Sequence, residues 1–392
     1  MIFRFLTSGE SHGKCLNAII EGVPAGIAID RNYINSELAR RQVGYGRGGR
    51  MKIEKDEVEI LSGVRHGIST GSPICLEIRN KDWENWIIPM NSEKVELTDE
   101  NIKQIEAKKI KNVRPGHADF AGALKYNQLD VRNILERSSA RETTARVAVG
   151  AIAKSILKEF NIDGLSVVTQ IGNIKSNISE NIFDYKEQIE NSDLRVWDNS
   201  AYEKMKTEID NAKIQGDTLG GAFRVEFRNI PVGLGSHVHW DRKLDGLIAQ
   251  AVMSIPAVKS VEIGIGTAAA YTPGSKTHDE IFVINGKYIR KTNNAGGIES
   301  GISNGENIIV NAVMKAIPTM LKPLNSIALD SKKEVKAHFE RSDTCAAAAC
   351  AVVAEAMVAI ILADAFLEKF SHDSLSEMKN NYKNYLSLIN ER

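Results

Sequence analysis

Residues 112–157 read NVRPGHADFAGALKYNQLDVRNILERSSARETTARVAVGAIAKSIL, and this stretch gathers basic side chains around a Pro-Gly turn and a Ser-Ser doublet. A helix N-terminus presents unpaired N–H groups and the positive end of a dipole, so arginines beside it make an anion site. His117 can move a proton near neutral pH. The alternative is an amphipathic helix with a solvated basic start. The basic residues in question are Arg114, His117, Arg137, Arg141 and Arg146.

Two apolar patterns predict long buried helices. Over residues 143–160 the apolar residues recur on one helical face, which predicts an amphipathic helix. Residues 346–363 are apolar except for Glu355. A transmembrane span is the competing interpretation of this run, but alanine dominates it, Glu355 lies in its middle and its flanks are charged. We therefore predict a helix that is buried on all sides within a large domain.

The composition narrows the class of protein. The 392 residues carry 50 basic and 50 acidic side chains, so no net field draws the whole chain to nucleic acid or membrane. The length alone is compatible with one to three domains. Four cysteines form no CxxC pair, which suits a reduced compartment without structural zinc. The N-terminus turns polar after six residues, too soon for a signal peptide, so we expect a cytoplasmic location.

A second candidate site follows a short predicted strand at residues 2–6. Gly9 and Gly13 flank a turn that contains His12, and glycines allow a ligand to approach both backbone and imidazole. The turn resembles a phosphate-binding P-loop, but its spacing is one residue short and Cys15 replaces the magnesium-binding hydroxyl. The alternative is an ordinary surface histidine.

A third candidate site is the loop 43–52, VGYGRGGRMK, which follows a predicted helix at residues 32–42. Its glycines match GxGxxG, but a charged helix precedes them and a strand-like segment follows, which is the wrong order for a dinucleotide fold. We predict a flexible loop that presents Arg41, Arg47 and Arg50 to an anion. The alternative is an RNA-binding or polyanion-binding module, which one RGG-type loop with a single tyrosine supports weakly.

The two halves of the chain contain similar segments. Residues 71–80, GSPICLEIRN, parallel residues 220–229, GGAFRVEFRN. Arg137-Ser138-Ser139 and Arg341-Ser342-Asp343 each precede a helix that ends in a charged pair and phenylalanine. Chance produces short matches of this kind as well. If they are repeats, the fold is α+β, with two related halves whose helices are buried between antiparallel sheets.

Five motifs in the same order resemble the chorismate synthase family. They are GESHG at 9–13, YGRGGRMKIE at 45–54, RPGHAD at 114–119, RSSARETTARVAVGA at 137–151 and RSD at 341–343. The resemblance implies a single large β-α-β sandwich domain over residues 1–392, a homotetramer and a requirement for reduced FMN. It implies a carbon–oxygen lyase that converts 5-enolpyruvylshikimate 3-phosphate to chorismate and phosphate by an anti-1,4-elimination without net redox change.

The resemblance also assigns roles to individual residues. His12 would protonate the departing phosphate, His117 would protonate or hold the reduced flavin, and Asp343 would help flavin N5 to take the ring proton. Asp343 has an alternative role as a helix N-cap. The substrate carries a phosphate and two carboxylates, which need guanidinium forks. The predicted substrate-binding residues are Arg41, Arg47, Arg50, Arg114, Arg141 and Arg341.

The family's flavin contacts map onto several segments of this chain. Pro256 replaces a common asparagine, and Ser300 replaces a glycine of a GGxxGG pattern. Since no segment carries a strand-loop-helix dinucleotide fingerprint, we predict an external flavin reductase as partner, with NADPH used only indirectly, although Arg41 and Arg47 could touch a nicotinamide phosphate. No nucleic-acid or membrane partner is expected. The predicted flavin contacts are Ser139, Ala140, Arg141, Pro256, Ala257, Ser300, Lys315, Ala316, Ile317, Pro318, Thr319 and Arg341.

Overall fold

The fold was analysed in a computed structural model that describes residues 3–48, 55–177, 181–340, 342–370 and 373–391. The strands are β1 Arg4–Gly9, β2 Cys15–Glu21, β3 Val58–Ser62, β4 Val64–Arg65, β5 Ile68–Ser69, β6 Ile74–Arg79, β7 Asp163–Ile171, β8 Ile174–Lys175, β9 Gly221–Arg228, β10 Val258–Ile263, β11 Ile281–Ile284, β12 Lys287–Arg290, β13 Ile298–Glu299, β14 Ile302–Ser303, β15 Ile308–Met314, β16 Asn325–Ile327 and β17 Glu334–Lys336.

Helices are interspersed with these strands along the whole chain. They are α1 Arg31–Gln42, α2 Asp99–Lys108, α3 Asp119–Lys125, α4 Arg132–Ser138, α5 Thr143–Lys158, α6 Lys186–Asn191, α7 Asn199–Ile214, α8 Leu244–Met253, α9 Gly274–Thr277, α10 Ala347–Phe370 and α11 Leu375–Asn390. The mixture of helices with antiparallel sheets confirms the α+β class.

Two antiparallel sheets form the main β-structure. The first has the order β1-β2-β6-β3, and the second has the order β10-β15-β9-β7-β8. Every adjacent pair in both sheets is antiparallel. Without β8, the second sheet has the spatial order β7-β9-β15-β10. In each sheet the first two strands along the chain are neighbours, the fourth strand lies beside the second, and the third strand lies at the edge beside the fourth. The two sheets therefore share one strand connectivity.

The helices α5 and α10 pack on different sheets. Helix α5 packs against β1, β2 and β6 of the first sheet, while α10 packs against β7 and β9 of the second. The two helices also pack against each other, and a Cβ at Gly150 would overlap Ala356 of α10. Glycine is therefore required at this position for the helices to approach closely. One hydrophobic core joins residues from both sheets and both helices.

The long apolar run forms a buried helix, as predicted. An 18-residue window of α10 has a mean hydropathy of 2.2, and all of that window is buried within the protein. By length and composition this helix could cross a membrane, but here its sides are covered by α1, α5, α8, β7 and β9. Its apolar character is thus accounted for by packing in the core.

A cluster of buried charges joins α1, α5 and α10. Glu355 of α10 accepts hydrogen bonds from Arg40 at 2.9 and 3.0 Å, from Lys154 at 2.5 Å and from Ser166 at 2.7 Å. Glu37 accepts from the same arginine and the same lysine. Each carboxylate is thereby matched by cations, which is the condition for keeping charges in a core.

Two short hairpins, β4–β5 and β13–β14, make the same set of contacts. In each, a serine donates its hydroxyl hydrogen to a proline carbonyl and accepts the backbone N–H of the residue three positions after that proline. Both turns contain two residues with positive φ, the conformation of tight hairpin turns. The two sets are Ser69 with Pro24 and Ile27, and Ser303 with Pro231 and Leu234, at 2.5 to 2.9 Å.

Candidate active site

A cavity of about 310 Å³ lies where the turn after β1, the end of α1, the loop before α3 and the starts of α5 and α10 meet. It is lined by most of the residues that the sequence singled out, which come from distant parts of the chain. They are His12, Arg41, Arg47, Arg114, His117, Ser139, Ala140, Arg141, Pro256, Ala257, Lys315, Ile317, Pro318, Thr319 and Asp343.

Arg137 and Arg146 do not line this cavity, and four of the residues assigned by resemblance to substrate or flavin are also not in this group. Arg50 and Arg341 lie outside the described residues. Ser300 is not among the lining residues, since it occupies the turn of the β13–β14 hairpin with a φ of 51°. Ala316 follows the lining residue Lys315 without lining the cavity itself.

His12 is held in the turn between β1 and β2. Its Nδ1 lies 2.8 Å from Oε1 of Glu136, and its backbone N–H donates to Oε2 of the same carboxylate at 2.7 Å. Its ring stacks on Trp86 with 4.1 Å between centroids. Burial acts to raise the pKa of Glu136, but the contacts with His12 and Arg132 outweigh it and lower that pKa. The carboxylate is therefore ionised beside the imidazole at neutral pH.

His117 has a carboxylate partner of its own. Its Nδ1 lies 2.5 Å from Oδ1 of Asp119. The Arg114 guanidinium also donates to this carboxylate, to Oδ2 at 2.7 Å and to Oδ1 at 3.0 Å. Burial acts to raise the pKa of Asp119, yet His117 and Arg114 together lower it to about 2. A third Arg114 nitrogen donates to the Thr319 hydroxyl, which fixes the guanidinium at the cavity. The RPGHAD motif thus forms one preorganised charged unit.

Positive charge is crowded on the other wall of the cavity. Arg141 donates to Asp56 at 2.5 Å, and Arg41 lies 3.7 Å from the same carboxylate. The pKa of Arg41 is lowered to about 10, first by burial and then by repulsion from Arg47 and Arg141, which the Asp56 carboxylate opposes. An anion bound here would relieve this repulsion.

Asp343 holds the loop that follows α1. Its carboxylate lies 2.9 Å from Nε of Arg47 and accepts the backbone N–H of Gly48 at 2.6 Å. Helix α10 begins at Ala347, four residues later, so the alternative role of Asp343 as its N-cap is wrong. The carboxylate instead joins the start of α10 to the arginine loop at the cavity.

The sequence did not predict several residues that complete this geometry. Glu136 lies one turn after Arg132, and such a pair usually indicates an exposed helix face. Here both side chains are buried, with exposures of 2 % and 7 %. Asp119 lies within a recognised motif, which was a usable signal, whereas nothing around Asp56 marked it as a partner of Arg141.

Comparisons with known proteins agree with this arrangement. The family model for chorismate synthase matches residues 3–367. The chorismate synthase of Geotalea uraniireducens (strain Rf4) is 54% identical over 397 residues, covering 99% of each chain, and that of Aquifex aeolicus (strain VF5) is 52% identical over 396 residues, covering 98% of each. A crystal structure of chorismate synthase matches 100% of this chain and 99% of its own, with a TM-score of 0.79 and 42% identity. The chain therefore belongs to the chorismate synthase family, whose members are lyases of aromatic amino acid biosynthesis, and the nucleic-acid-binding alternative is not favoured.

Proposed function

We propose that this chain eliminates phosphate from 5-enolpyruvylshikimate 3-phosphate and releases chorismate. The observation that carries the proposal is that two histidine–carboxylate pairs face one arginine-lined cavity. A 1,4-elimination of phosphate needs a proton donor at the departing oxygen and an acceptor for the proton that leaves the ring carbon, in a site that binds anions. The side chain of His12 supplies the donor, and Asp343 is placed to assist the acceptor of the ring proton, so the residues of this cavity fit the family's chemistry.

The arginines bind the three anionic groups of the substrate. Arg41, Arg47 and Arg141 form the crowded wall, and Arg114 faces them from the RPGHAD motif. A phosphate or carboxylate placed among them replaces repulsion by charge-assisted hydrogen bonds. Arg50 and Arg341 are assigned to the same task by resemblance. Binding energy from all three anionic groups orients the ring for reaction.

The acid–base groups act at opposite ends of the elimination. His12 gives its proton to the departing phosphate oxygen, and its carboxylate partner stabilises the protonated ring. Asp343 assists removal of the ring proton, and His117, held by Asp119, keeps a proton at the cofactor side of the cavity. Pro256, Ala257 and Lys315 would help to hold reduced FMN, which would supply transient electron density for an elimination without net oxidation.

The cavity fits a flavin by the chemistry of its lining. The backbone N–H of Lys315 donates to the carbonyl of Ala257 at 2.9 Å, which brings two lining segments side by side. Pro256, Ile317 and Pro318 add apolar surface of the kind that packs on an aromatic ring, while Ser139 and Arg141 add polar groups. For Ser300 and Ala316 the assignment depends on resemblance alone.

The flavin arrives already reduced, and the reductase is a separate protein. The pattern Gly264-Ile265-Gly266 runs into a 3-10 helix over Gly266–Ala270, whereas a dinucleotide fingerprint needs an α-helix there. We therefore keep the proposal that NADPH acts only indirectly, through that reductase. The working enzyme is a cytoplasmic homotetramer in which residues 1–392 form one domain.

The domain is a β-α-β sandwich of two repeated halves. The common strand connectivity and the two matching serine–proline contacts support this. They align GIS-T-G at 67–71 with GIS-N-G at 301–305 rather than 71–80 with 220–229. By this alignment β6 corresponds to β15, and α5 corresponds to α10.

An anaerobic phosphate-release assay tests the proposed reaction. With chemically reduced FMN, the enolpyruvyl substrate should give many turnovers per flavin, whereas oxidised FMN with NADPH alone should give almost none. His12→Ala and His117→Ala should each lower kcat by roughly 10²- to 10⁴-fold, the usual cost of removing a general acid. Wild-type rates in both variants would refute the assigned roles, and brisk turnover with NADPH alone would refute the separate reductase.

A further inference from the structure

Glu136 makes more contacts with His12 than any structural role on α4 requires. One of its oxygens lies 2.8 Å from Nδ1 of His12, and the other accepts the backbone N–H of the same residue at 2.7 Å. The carboxylate thus grips both the ring and the main chain of His12. With an exposed fraction of only 2 %, it is also shielded from water, which strengthens both contacts.

Further groups fix the position of this carboxylate. Arg132 donates to Oε1 of Glu136 at 3.0 Å and is itself anchored by the carbonyl of Lys108 at 2.7 Å. The guanidinium carbon also lies 4.9 Å from the centre of the Trp86 ring, which stacks on the imidazole and has the Lys108 ammonium 4.1 Å from its centre. The imidazole is therefore constrained in its plane by a carboxylate and across its plane by an indole. Rotation of the ring would break both sets of contacts.

We propose that Glu136 is the positioning residue of His12. An ionised carboxylate at Nδ1 requires a hydrogen on that nitrogen, so Nε2 is the atom that exchanges a proton with a ligand in the cavity. Glu136 also stabilises the positive ring before its proton is given up. The inference rests on the proposed role of His12 as the acid for the departing phosphate, and it assigns the orientation of that acid to a residue that does not line the cavity.

Glu142 provides a matched comparison in the same region. It is also buried, with 7 % exposure, and it also lies four residues from an arginine to which it is bonded, Arg146. Its other side-chain partners are the Thr7 hydroxyl at 3.0 Å and Arg137 at 3.8 Å, and it does not line the cavity. Glu142→Gln therefore removes a buried negative charge, as Glu136→Gln does, but it leaves the contacts of His12 unchanged.

The first measurement separates positioning from general destabilisation. Glu136→Gln should lower kcat on the order of 10- to 100-fold, because the amide can also donate to Nδ1 and no longer selects one ring orientation. The KM for the enolpyruvyl substrate should stay within about twofold, since the arginines are unchanged. Glu142→Gln should keep both constants within about twofold of wild type. Equal losses of kcat in the two variants would overturn the proposal.

A double-mutant cycle supplies the decisive readout. If Glu136 acts only through His12, then Glu136→Gln should cause almost no further loss of kcat in a His12→Ala background. A full additional loss in that background would overturn the proposal even if Glu136→Gln alone is impaired. If Glu136→Gln does not fold, as judged by its thermal midpoint, Glu136→Asp replaces it; its carboxylate is one methylene shorter, and the same non-additivity is expected.

The two hypotheses fail in distinguishable ways. Near-normal turnover of His12→Ala would refute His12 as the acid, whereas a wild-type enzyme that releases no phosphate from the enolpyruvyl substrate would refute the proposed function. Impaired turnover of His12→Ala together with normal turnover of Glu136→Gln would leave the acid in place and refute only its positioning by Glu136.

Discussion

Two consecutive arginines of α1 lie in opposite electrostatic environments. Arg40 points into the protein core, where it bonds Glu37, Glu190 and Glu355. Burial alone would lower its pKa, but these carboxylates raise that pKa well above its ordinary value. Arg41 lines the cavity, and its pKa is lowered to about 10 because burial is joined by the repulsion of other arginines.

The difference teaches that one residue type on one helix serves two purposes. In the core cluster each cation has carboxylate partners, so removal of any member leaves a buried charge uncompensated. In the cavity the arginines repel one another, and an anionic ligand would relieve that repulsion. We expect core substitutions to change the stability of the fold and cavity substitutions to change binding.

The largest effect should come from Glu355→Gln. It removes the carboxylate that neutralises Arg40 and Lys154 in the core. The free energy of unfolding should fall by about 3–5 kcal/mol, the usual cost of breaking a buried ion pair. Urea titration of variant and wild type measures this. At temperatures where the variant is folded, its KM should remain within about twofold of wild type, and a large KM change would contradict the separation of the two clusters.

The reciprocal test is Arg41→Gln. It removes a cavity cation that also donates to the Thr143 hydroxyl and to the carbonyl of Ala140. The KM for the enolpyruvyl substrate should rise on the order of 100-fold, the value of a charge-assisted contact. The free energy of unfolding should change by less than about 1 kcal/mol because relief of repulsion offsets the lost hydrogen bonds. The matched control is Arg40→Gln, for which destabilisation with an unchanged KM is expected.

Glu226 offers an intermediate case, a buried carboxylate with one weak partner. Its carboxylate accepts a long hydrogen bond from Arg224 at 3.4 Å, and burial raises its pKa to about 7 from 4.5. The folded state binds the proton of Glu226 more tightly than the unfolded state does. The protonated side chain therefore contributes stability that is fully present below its unfolded pKa of 4.5 and is lost as pH rises through about 7. Relative to wild type, Glu226→Gln should gain about 2 kcal/mol between about pH 5 and about pH 8.5.

Glu190 should show the opposite pH dependence of stability, because its pKa is shifted in the opposite direction. Glu190 has a pKa lowered to about 2, because Arg195 and Arg40 outweigh its burial. Its contribution is present above the unfolded pKa of 4.5 and is lost as pH falls toward about 2, so Glu190→Gln should lose stability relative to wild type at neutral pH. The same sign in both variants would show that partners do not decide the behaviour of these carboxylates.

The smallest effect belongs to an exposed pair. Arg4 and Glu21 lie 2.5 Å apart on neighbouring strands, with side-chain exposures of 69% and 54%. Solvent and salt screen such a pair, so Glu21→Gln should change the free energy of unfolding by less than about 0.5 kcal/mol. A larger loss, measured by the same urea titration, would mean that exposure does not separate weak pairs from the core cluster.

Local patterns predict the long central helices and the first strand of the fold but not how the strands pair. The strand at residues 2–6 and the helices α1, α5 and α10 all follow from the sequence pattern. The pairing of residues 71–80 with 220–229 stays a prediction, because any half-buried strand alternates in the same way and so resembles any other. The hairpin serines Ser69 and Ser303 support the different alignment that we propose, but their bonds to distant prolines are visible only in the folded chain.

Site residues could be predicted where they form patterns that are rare in sequences, and they were missed where their pattern is common. His12, His117 and the arginines stood out, and the structure brings them to one cavity. Glu136 did not stand out, because a carboxylate one turn from an arginine is typical of a solvent-exposed helix. Its meaning depends on burial and on a turn more than a hundred residues earlier, which local spacing does not report.

The packing of α5 against α10 also sets an order in time. The two helices occupy residues 143–158 and 347–370, so a ribosome working at about 5–20 residues per second completes α10 roughly 10–40 s after α5. During that interval the face of α5 that α10 covers has no native neighbour. Exposed apolar faces of this kind attract other chains and chaperones. Helix α5 is thus synthesised before α10, the helix that covers it in the core, and it must avoid aggregation until α10 emerges from the ribosome.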